Sequence, residues 1–277
     1  MTETPVPLPE TMPDTPDAKL RTPSNLRLRM IASVVMIAVA LVALVAGDLL
    51  FWLLAVVAAL FMMAEWADLH GADAKTKRMA QFALSVPLAI MAPIAAGPHF
   101  FVLGLLGAAF FFIAIVYRNA GLALGAAYVG LPVFALLLIR QQPDGLVLTL
   151  WALALVWATD IGAFFTGRSL GGPKLAPRIS PAKTWSGLIG GVVLATIFAF
   201  VLHVGLGLPF RLVIATPFLA VLAQGGDLYE SALKRRAGVK DSGNVLPGHG
   251  GVLDRLDGIV PVAPVAALLV VLPQLLG

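Results

Sequence analysis

The chain has 277 residues, of which 59% are hydrophobic and only 12% are charged, with a formal net charge of +4. Soluble domains carry about one-quarter charged residues, so this composition, with a mean hydropathy of +0.93, excludes an ordinary soluble enzyme. The absence of cysteine excludes disulfides, thiol catalysis and cysteine-ligated metals, and the small net charge predicts no nucleic-acid partner.

The first 25 residues are rich in Pro and Thr and poor in large apolar side chains, which predicts a disordered cytoplasmic tail, residues 1–25. A cleaved signal peptide would begin with a short basic segment, whereas here an acidic tail precedes Arg27, Arg29 and a long apolar run. We therefore expect the tail to be retained and residues 26–277 to form one transmembrane domain.

Nine apolar segments follow, each close to the length of about 20 residues that a membrane-spanning helix needs. They are residues 30–46, 49–65, 81–96, 99–117, 121–139, 146–165, 187–206, 210–226 and 258–276. The predicted fold class is an all-α, polytopic transmembrane helical bundle of about nine spans. Only two stretches between these spans, 166–186 and 227–257, are long and polar enough to hold catalytic groups.

The basic residues give this bundle an orientation. With the N-terminus in the cytoplasm, all of the 19 Lys and Arg residues except Arg140 and Arg211 fall on the cytoplasmic side. An odd number of spans then places the C-terminus on the opposite side and both polar segments in the cytoplasm. We expect an integral protein of a bacterial inner membrane, with an active site that faces the cytoplasm.

The second polar segment concentrates acidic and basic residues. If residues 227–236 continue the eighth helix, then Asp227, Glu230, Ser231 and Lys234 share one helical face. The spacing of Asp254-Arg255-Leu256-Asp257 predicts two further carboxylates on one face as the chain enters the last span. Carboxylate oxygens suit Mg²⁺, and the interleaved Lys and Arg suit phosphates. The alternative is a solvated hairpin with ordinary surface charges.

The first polar segment supplies a second group of candidates. Asp160 lies within an apolar span and needs a partner, whether in a functional site or in a plain interhelical hydrogen bond. Ser180 and Pro181 predict a helix start, with Ser180 at the N-cap, whose free N–H groups would bind an anion beside Lys183 and Thr184. A plain helix cap is an equally good interpretation of these residues.

Other charged residues have a structural interpretation. Glu65, Asp68 and Asp73 lie beside several basic residues between the second and third apolar segments. We interpret this mixed-charge turn as the cytoplasmic anchor of the two spans, outside the site.

The residues of both polar segments resemble those of a known family. The run from Ser231 to Asp257, SALKRRAGVKDSGNVLPGHGGVLDRLD, resembles the signature of phosphatidate cytidylyltransferase, also called CDP-diacylglycerol synthase, and the likeness extends upstream to Gly226-Asp227-Leu228. An Asp in a late span followed by a Gly-Arg stretch and by Ser-Pro-Ala-Lys-Thr-Trp resembles the family's other hallmark. One position departs from the pattern, since many members have Glu where this chain has Ser186.

The resemblance implies transfer of cytidylate from CTP to phosphatidate, which gives CDP-diacylglycerol and pyrophosphate. It implies a requirement for Mg²⁺, with K⁺ beside it, and a homodimer in the lipid bilayer. Asp227 and Asp254 are expected to hold the metal, and Lys240 and Asp257 to join them in catalysis. The positions expected to bind substrate are Asp160, Ser180, Lys183, Thr184, Ser231, Lys234, Arg235, Asp241, His249 and Arg255.

Two alternatives remain at this point. Relatives with a similar motif could be CTP-dependent lipid kinases or could transfer cytidylate to another lipid acceptor. A secondary transporter could use Asp160 as its coupling carboxylate, but that function leaves the charged segment 227–257 unexplained.

Overall fold

The computed structural model describes residues 26–245 and 250–276, with side chains from residue 34 to residue 273 apart from the same gap. The tail expected at residues 1–25 lies outside the described residues, as does His249. Within the described ranges the chain forms ten helices and one short β-hairpin.

The helices and strands follow one another with short connections. In chain order they are α1 (Leu26–Ala46), α2 (Asp48–Leu69), α3 (Ala74–Ile90), α4 (Phe101–Tyr117), α5 (Ala120–Arg140), α6 (Gly145–Leu170), β1 (Lys174–Ala176), β2 (Ser180–Thr184), α7 (Trp185–Leu206), α8 (Phe210–Arg236), α9 (Leu253–Leu256) and α10 (Ile259–Leu276). Every described helix except α9 overlaps one of the apolar segments identified from the sequence. Hydropathy therefore locates the long helices, and it misses the hairpin and α9.

Five of the described helices, α2, α5, α6, α7 and α8, are long and apolar enough to cross a membrane. Shorter apolar stretches occupy α1, α4 and α10. Large apolar side chains such as Phe111, Ile189 and Val204 are exposed on the outside of the bundle, where a soluble protein would carry polar groups. The chain is a helical membrane protein.

The predicted helix start at Ser180 is wrong. Residues Ser180–Thr184 form β2, which pairs antiparallel with β1 so that Lys174 lies opposite Thr184. Both strands of a two-stranded hairpin are edge strands, where Pro181 is tolerated although it lacks an N–H group. Helix α7 begins at Trp185, and its N-cap is Thr184, whose Oγ1 accepts a hydrogen bond of 3.1 Å from the Gly187 N–H.

The boundaries of the second polar segment differ in part from expectation. Helix α8 continues to Arg236, which confirms the predicted helical face that starts at Asp227. Asp254 lies in the separate helix α9 and does not lead directly into the last span, because a turn at Asp257 and Gly258 precedes α10. Pro261 has no N–H to bond the Asp257 carbonyl four residues earlier, so one continuous helix would lose a hydrogen bond there.

Two apolar clusters fill the interior of the bundle. The first joins α2, α3, α4 and α5 around Met63, Trp66 and Leu84, and the second joins α6, α8 and α10 around Trp151. Trp151 is fully buried, and its Nε1–H donates to Thr216 Oγ1 of α8 at 3.0 Å. This bond satisfies a polar group inside the apolar core and fixes α6 against α8, the two helices that carry Asp160 and Asp227.

Thr216→Val should therefore destabilise the protein, because it leaves the buried Trp151 N–H without its acceptor at a cost of about 1–2 kcal/mol. Thr196→Val is the matched control, since both threonines donate to a carbonyl of their own helix and only Thr216 also accepts from a tryptophan. Thermal unfolding in detergent measures the difference. Equal melting temperatures for the two variants would contradict this role of Thr216.

Candidate active site

A cavity of about 470 Å³, lined by both charged and apolar side chains, lies between α6, β2, α7 and α8. Its polar lining comes from Asp160, Arg168, Lys183, Thr184, Gln224 and Asp227. Ala163, Phe164 and Leu188 form its apolar wall. The cavity thus brings together residues that lie more than 60 positions apart in the chain.

A continuous set of polar contacts runs along the floor of this cavity. Lys183 Nζ forms an ion pair with Asp227 Oδ2 and donates a hydrogen bond of 2.8 Å to Gln224 Oε1. Gln224 Nε2 donates to Asp160 Oδ1 at 3.1 Å, and Ser231 Oγ donates to Asp227 Oδ1 at 3.3 Å. Asp160 therefore has the partner that a carboxylate within a span requires.

A second set of contacts surrounds Lys234, two turns further along α8. Its ammonium lies 2.5 Å from Asp254 Oδ1 and 3.3 Å from Glu230 Oε1. Asp254 also accepts hydrogen bonds from the backbone N–H groups of Ser242, at 2.9 Å, and Gly251, at 2.8 Å. Burial opposes ionisation of Asp254, but the ammonium and the N–H donors outweigh it and lower the pKa of this carboxyl below its usual value.

The two sets of contacts meet at Glu230 and Asp257. Gly226 packs directly against this turn, since a Cβ there would lie 2.5 Å from the Asp257 carbonyl oxygen. Burial and the nearby Asp227 charge raise the pKa of Asp257. Glu230 is fully buried, and its carboxyl lies against the Lys234 ammonium and the carboxyls of Asp254 and Asp257. Buried carboxylate oxygens are thus concentrated at one end of α8.

The carboxylates at this end of α8 fit a divalent cation that is shared with substrate. Among the described residues, no three His, Asp or Glu side chains converge to hold a metal alone. Mg²⁺ needs only one or two carboxylates, because waters and phosphate oxygens complete its octahedron. Asp227 is 30% exposed and lines the cavity, and its two oxygens contact Lys183 and Ser231. Asp254 does not line the cavity, and both of its oxygens are engaged by Lys234 and by backbone N–H groups. The role of Asp254 as a ligand stays a prediction, and it would require Lys234 to release Oδ1.

The other predicted site residues lie around these contacts. Ser180 is half-buried on β2, and Lys240, Asp241 and Arg255 are exposed near the loop that follows α8. Arg235 is exposed and donates to the Val239 carbonyl at 3.4 Å. His249 lies outside the described residues, so its predicted role has no structural description.

Ser186, the departure from the family pattern, has a local role. Its hydroxyl donates to the carbonyl of Gly171 and lies 3.1 Å from Thr184 Oγ1, so it links the end of α6 to the start of α7.

Sequence reasoning missed two residues of this region. Gln224 bridges Lys183 and Asp160, and the signal for it was a lone amide among apolar residues near the end of a span. The sequence places Glu65 in a mixed-charge turn that anchors two spans, outside the site. In the structure it is 2% exposed and accepts hydrogen bonds from backbone N–H groups at the start of α9, the helix that carries Asp254.

Comparison with known proteins identifies similar chains. The sequence model of the Cytidylyltransferase family matches residues 27–272. A phosphatidate cytidylyltransferase of Brucella suis is 37% identical over 247 residues, which cover 87% of this chain and 91% of that protein. One of Rickettsia bellii is 32% identical over 257 residues, with 90% and 92% covered. One of Bacillus subtilis is 46% identical over 147 residues, with 52% and 55% covered.

Lys234→Met should destabilise the protein by about 3–5 kcal/mol, because it leaves buried carboxylates without their cation. The control Lys77→Met breaks an ion pair with Asp68 that is largely exposed and should cost less than about 1 kcal/mol. Adding Asp254→Asn to Lys234→Met should restore part of the loss, since Asp254 is the ionised carboxylate that Lys234 pairs with. Thermal unfolding in detergent tests the series, and equal stability of the two lysine variants would contradict the assignment.

Proposed function

The chain belongs to the cytidylyltransferase family, as the residues of its two polar segments indicated, and from this membership and the site geometry we infer that it transfers cytidylate from CTP to phosphatidate. The products are CDP-diacylglycerol and pyrophosphate, so the protein is a nucleotidyltransferase of phospholipid biosynthesis. One observation carries the conclusion: the region matched by the family, residues 27–272, contains every residue that lines the cavity.

The reaction needs charge neutralisation and alignment more than it needs a strong base. An oxygen of the phosphatidate phosphate, which is already anionic, forms a bond to the α-phosphorus of CTP. The bond from the α-phosphorus to the oxygen that bridges to the β-phosphorus breaks, and pyrophosphate leaves with that electron pair. The enzyme must therefore hold two polyanions close together and in line.

The cations of the cavity are placed for that task. Lys183 is held by Asp227 and Gln224 and can turn its ammonium towards a phosphate that enters the cavity. Arg168 lies at the cavity wall, with its guanidinium 5.9 Å from the centre of the Phe164 ring. The hydroxyl of Thr184 adds a donor beside them. These side chains would clamp the substrate phosphates.

Asp227, together with Asp254, is proposed to hold Mg²⁺, which when bound neutralises phosphate oxygens as a Lewis acid. K⁺ beside it is proposed from the family resemblance. Lys240 and Asp257 complete the proposed catalytic group. Arg235 at the end of α8, Asp241 in the loop after it and Arg255 in α9 are proposed to contact substrate, as are the remaining predicted residues.

The walls of the cavity suit one water-soluble and one lipid substrate. Phe164 and Leu188 form an apolar side, and the exposed residues Trp185 and Ile189 continue it onto the outer surface of the bundle. We propose that the phosphatidate headgroup enters sideways from the bilayer past this surface, while CTP enters from the cytoplasm. The hydrogen bond from Gln224 to Asp160 supports this enzyme over a transporter, because it joins Asp160 to the phosphate-binding groups.

The finer features of the membrane arrangement are also proposals. Nine spans, a cytoplasmic N-terminus and a bacterial inner membrane would place both polar segments where CTP is available. The homodimer rests on the family resemblance.

The activity is tested with purified protein, phosphatidate, Mg²⁺ and CTP labelled on the α-phosphate. Label should enter a chloroform-soluble product and should disappear on addition of EDTA. Asp227→Asn and Asp254→Asn should each reduce this rate by about 100-fold or more, since each removes a charge that acts on the phosphates. Thin-layer chromatography of the extracted lipid measures the product.

Asp68→Asn is the control for these variants, because Asp68 also pairs with a lysine at the predicted cytoplasmic side but lies away from the cavity. It should retain the wild-type rate. Wild-type activity in Asp227→Asn would remove Asp227 from the mechanism, and labelled CDP without labelled lipid would identify a kinase instead.

The absence of cysteine allows a direct test of topology, because a single introduced cysteine is then the only thiol. Ala74→Cys, at the exposed first residue of α3, should resist a membrane-impermeant maleimide in intact spheroplasts and react in inverted vesicles. Gln141→Cys, after α5, should show the opposite pattern. Labelling of both positions from the same side would contradict the proposed arrangement of spans.

A further inference from the structure

A buried carboxylate of α2, Glu65, binds the loop of the proposed site from the other half of the bundle. It accepts hydrogen bonds from the backbone N–H groups of Val252, at 2.9 Å, and Leu253, at 2.7 Å. It also accepts a bond of 3.2 Å from the Ser242 hydroxyl. The donors come from Ser242, within the loop after α8, and from the residues at the start of α9, so one side chain holds these two segments together.

Ser242 connects Glu65 to Asp254. Its hydroxyl donates to Glu65, while its backbone N–H donates to Asp254 at 2.9 Å. Gly251 packs so closely against Glu65 and Ser242 that no side chain fits at its position. A Cβ at Gly251 would lie 2.6 Å from Glu65 Oε2 and 2.2 Å from Ser242 Oγ. Because Ser242 donates to both carboxylates, the position of Asp254 depends on a residue that Glu65 also holds in place.

Helix α2 is a firm support for this carboxylate. The adjacent Trp66 is buried, donates from Nε1 to the Gly121 carbonyl at 3.0 Å and stacks on Tyr128 with ring centres 4.5 Å apart. Glu65 itself is 2% exposed, and a buried carboxylate persists only where donors compensate its charge. The hydrogen-bond donors of Ser242, Val252 and Leu253 therefore compensate the charge of Glu65, and Glu65 in turn fixes the position of these residues.

We propose that Glu65 is a positioning residue of the transferase: it fixes the loop after α8 so that Asp254 faces the substrate phosphates. This role rests on the proposed function, because it concerns the rate of that reaction. Glu65 does not line the cavity. Its removal should therefore lower kcat through misplacement of Asp254 and leave the affinity for CTP nearly unchanged.

Glu65→Gln is the most informative change. It keeps the size of the side chain, but its amide NH₂ would face N–H donors that need an acceptor. Displacement of a catalytic group by about 1 Å costs about 100-fold in rate, so we expect a loss of that size in kcat. The KM for CTP should stay within about 3-fold of wild type, because the hydrogen bonds of Glu65 do not contribute to CTP binding.

Hydrogen–deuterium exchange of the full chain in detergent gives a readout that does not depend on activity. In Glu65→Gln the amides of peptides that contain Ser242 and Val252–Leu256 should exchange faster, while peptides from α5 and α6 stay unchanged. Asp68→Asn, one turn further along α2, is the matched control and should leave both the exchange and kcat at wild-type values. Ser242→Ala should raise exchange in the same peptides, and its effect on kcat should not add fully to that of Glu65→Gln.

Several results would overturn the proposal. Wild-type kcat in Glu65→Gln would show that Asp254 needs no such support, and loss of activity without faster exchange of the loop would show that Glu65 acts in another way. Faster exchange throughout α5 and α6 would indicate a general folding defect instead of local positioning. If the wild-type protein failed to label lipid, the proposed function would fail, while the exchange experiment would still test whether Glu65 holds the loop.

Discussion

The structure as a whole depends on one constraint: the charges of the carboxylates at one end of an apolar bundle must be compensated. A charge that is removed from water persists only beside an opposite charge or hydrogen-bond donors. Asp227 is paired with Lys183, Asp254 with Lys234, and Glu65 with backbone N–H groups. Each of these contacts joins two different segments of the chain. The helices, hairpin and loop are thus arranged so that the carboxylates and their partners meet.

The same compensation suits an enzyme whose substrates are polyanions. Lys183 is held by a carboxylate and an amide at the cavity, so an entering phosphate competes for an ammonium that is already in place. Little reorganisation is then needed when charge shifts during the reaction, and preorganisation of this kind is the largest source of catalysis in many enzymes. Lys234 differs, because it lies between two buried carboxylates and mainly holds α8 to α9.

Structure could be predicted best from the sequence where it is decided by a local property, such as the length of an apolar run or the spacing of polar residues. Apolar length located the long helices, and the spacing from Asp227 to Lys234 correctly predicted a helical face on α8. The prediction failed at Ser180, because pairing with β1 outweighed a short local preference for a helix cap. Glu65 was missed for a different reason. Its donors lie 177 to 188 residues away, and no local pattern in α2 indicates that a carboxylate there compensates a distant loop.

The long separation between Glu65 and its donors has a consequence for biosynthesis. Glu65 is made early, with the second helix, whereas Ser242, Val252 and Leu253 leave the ribosome only when nearly the whole chain has been translated. During membrane insertion this carboxylate must therefore stay in water or at the lipid headgroups until the residues that donate to it have been synthesised. The end of the bundle that carries the site is therefore assembled last. A nascent chain that stalls before the final helices has no assembled active centre.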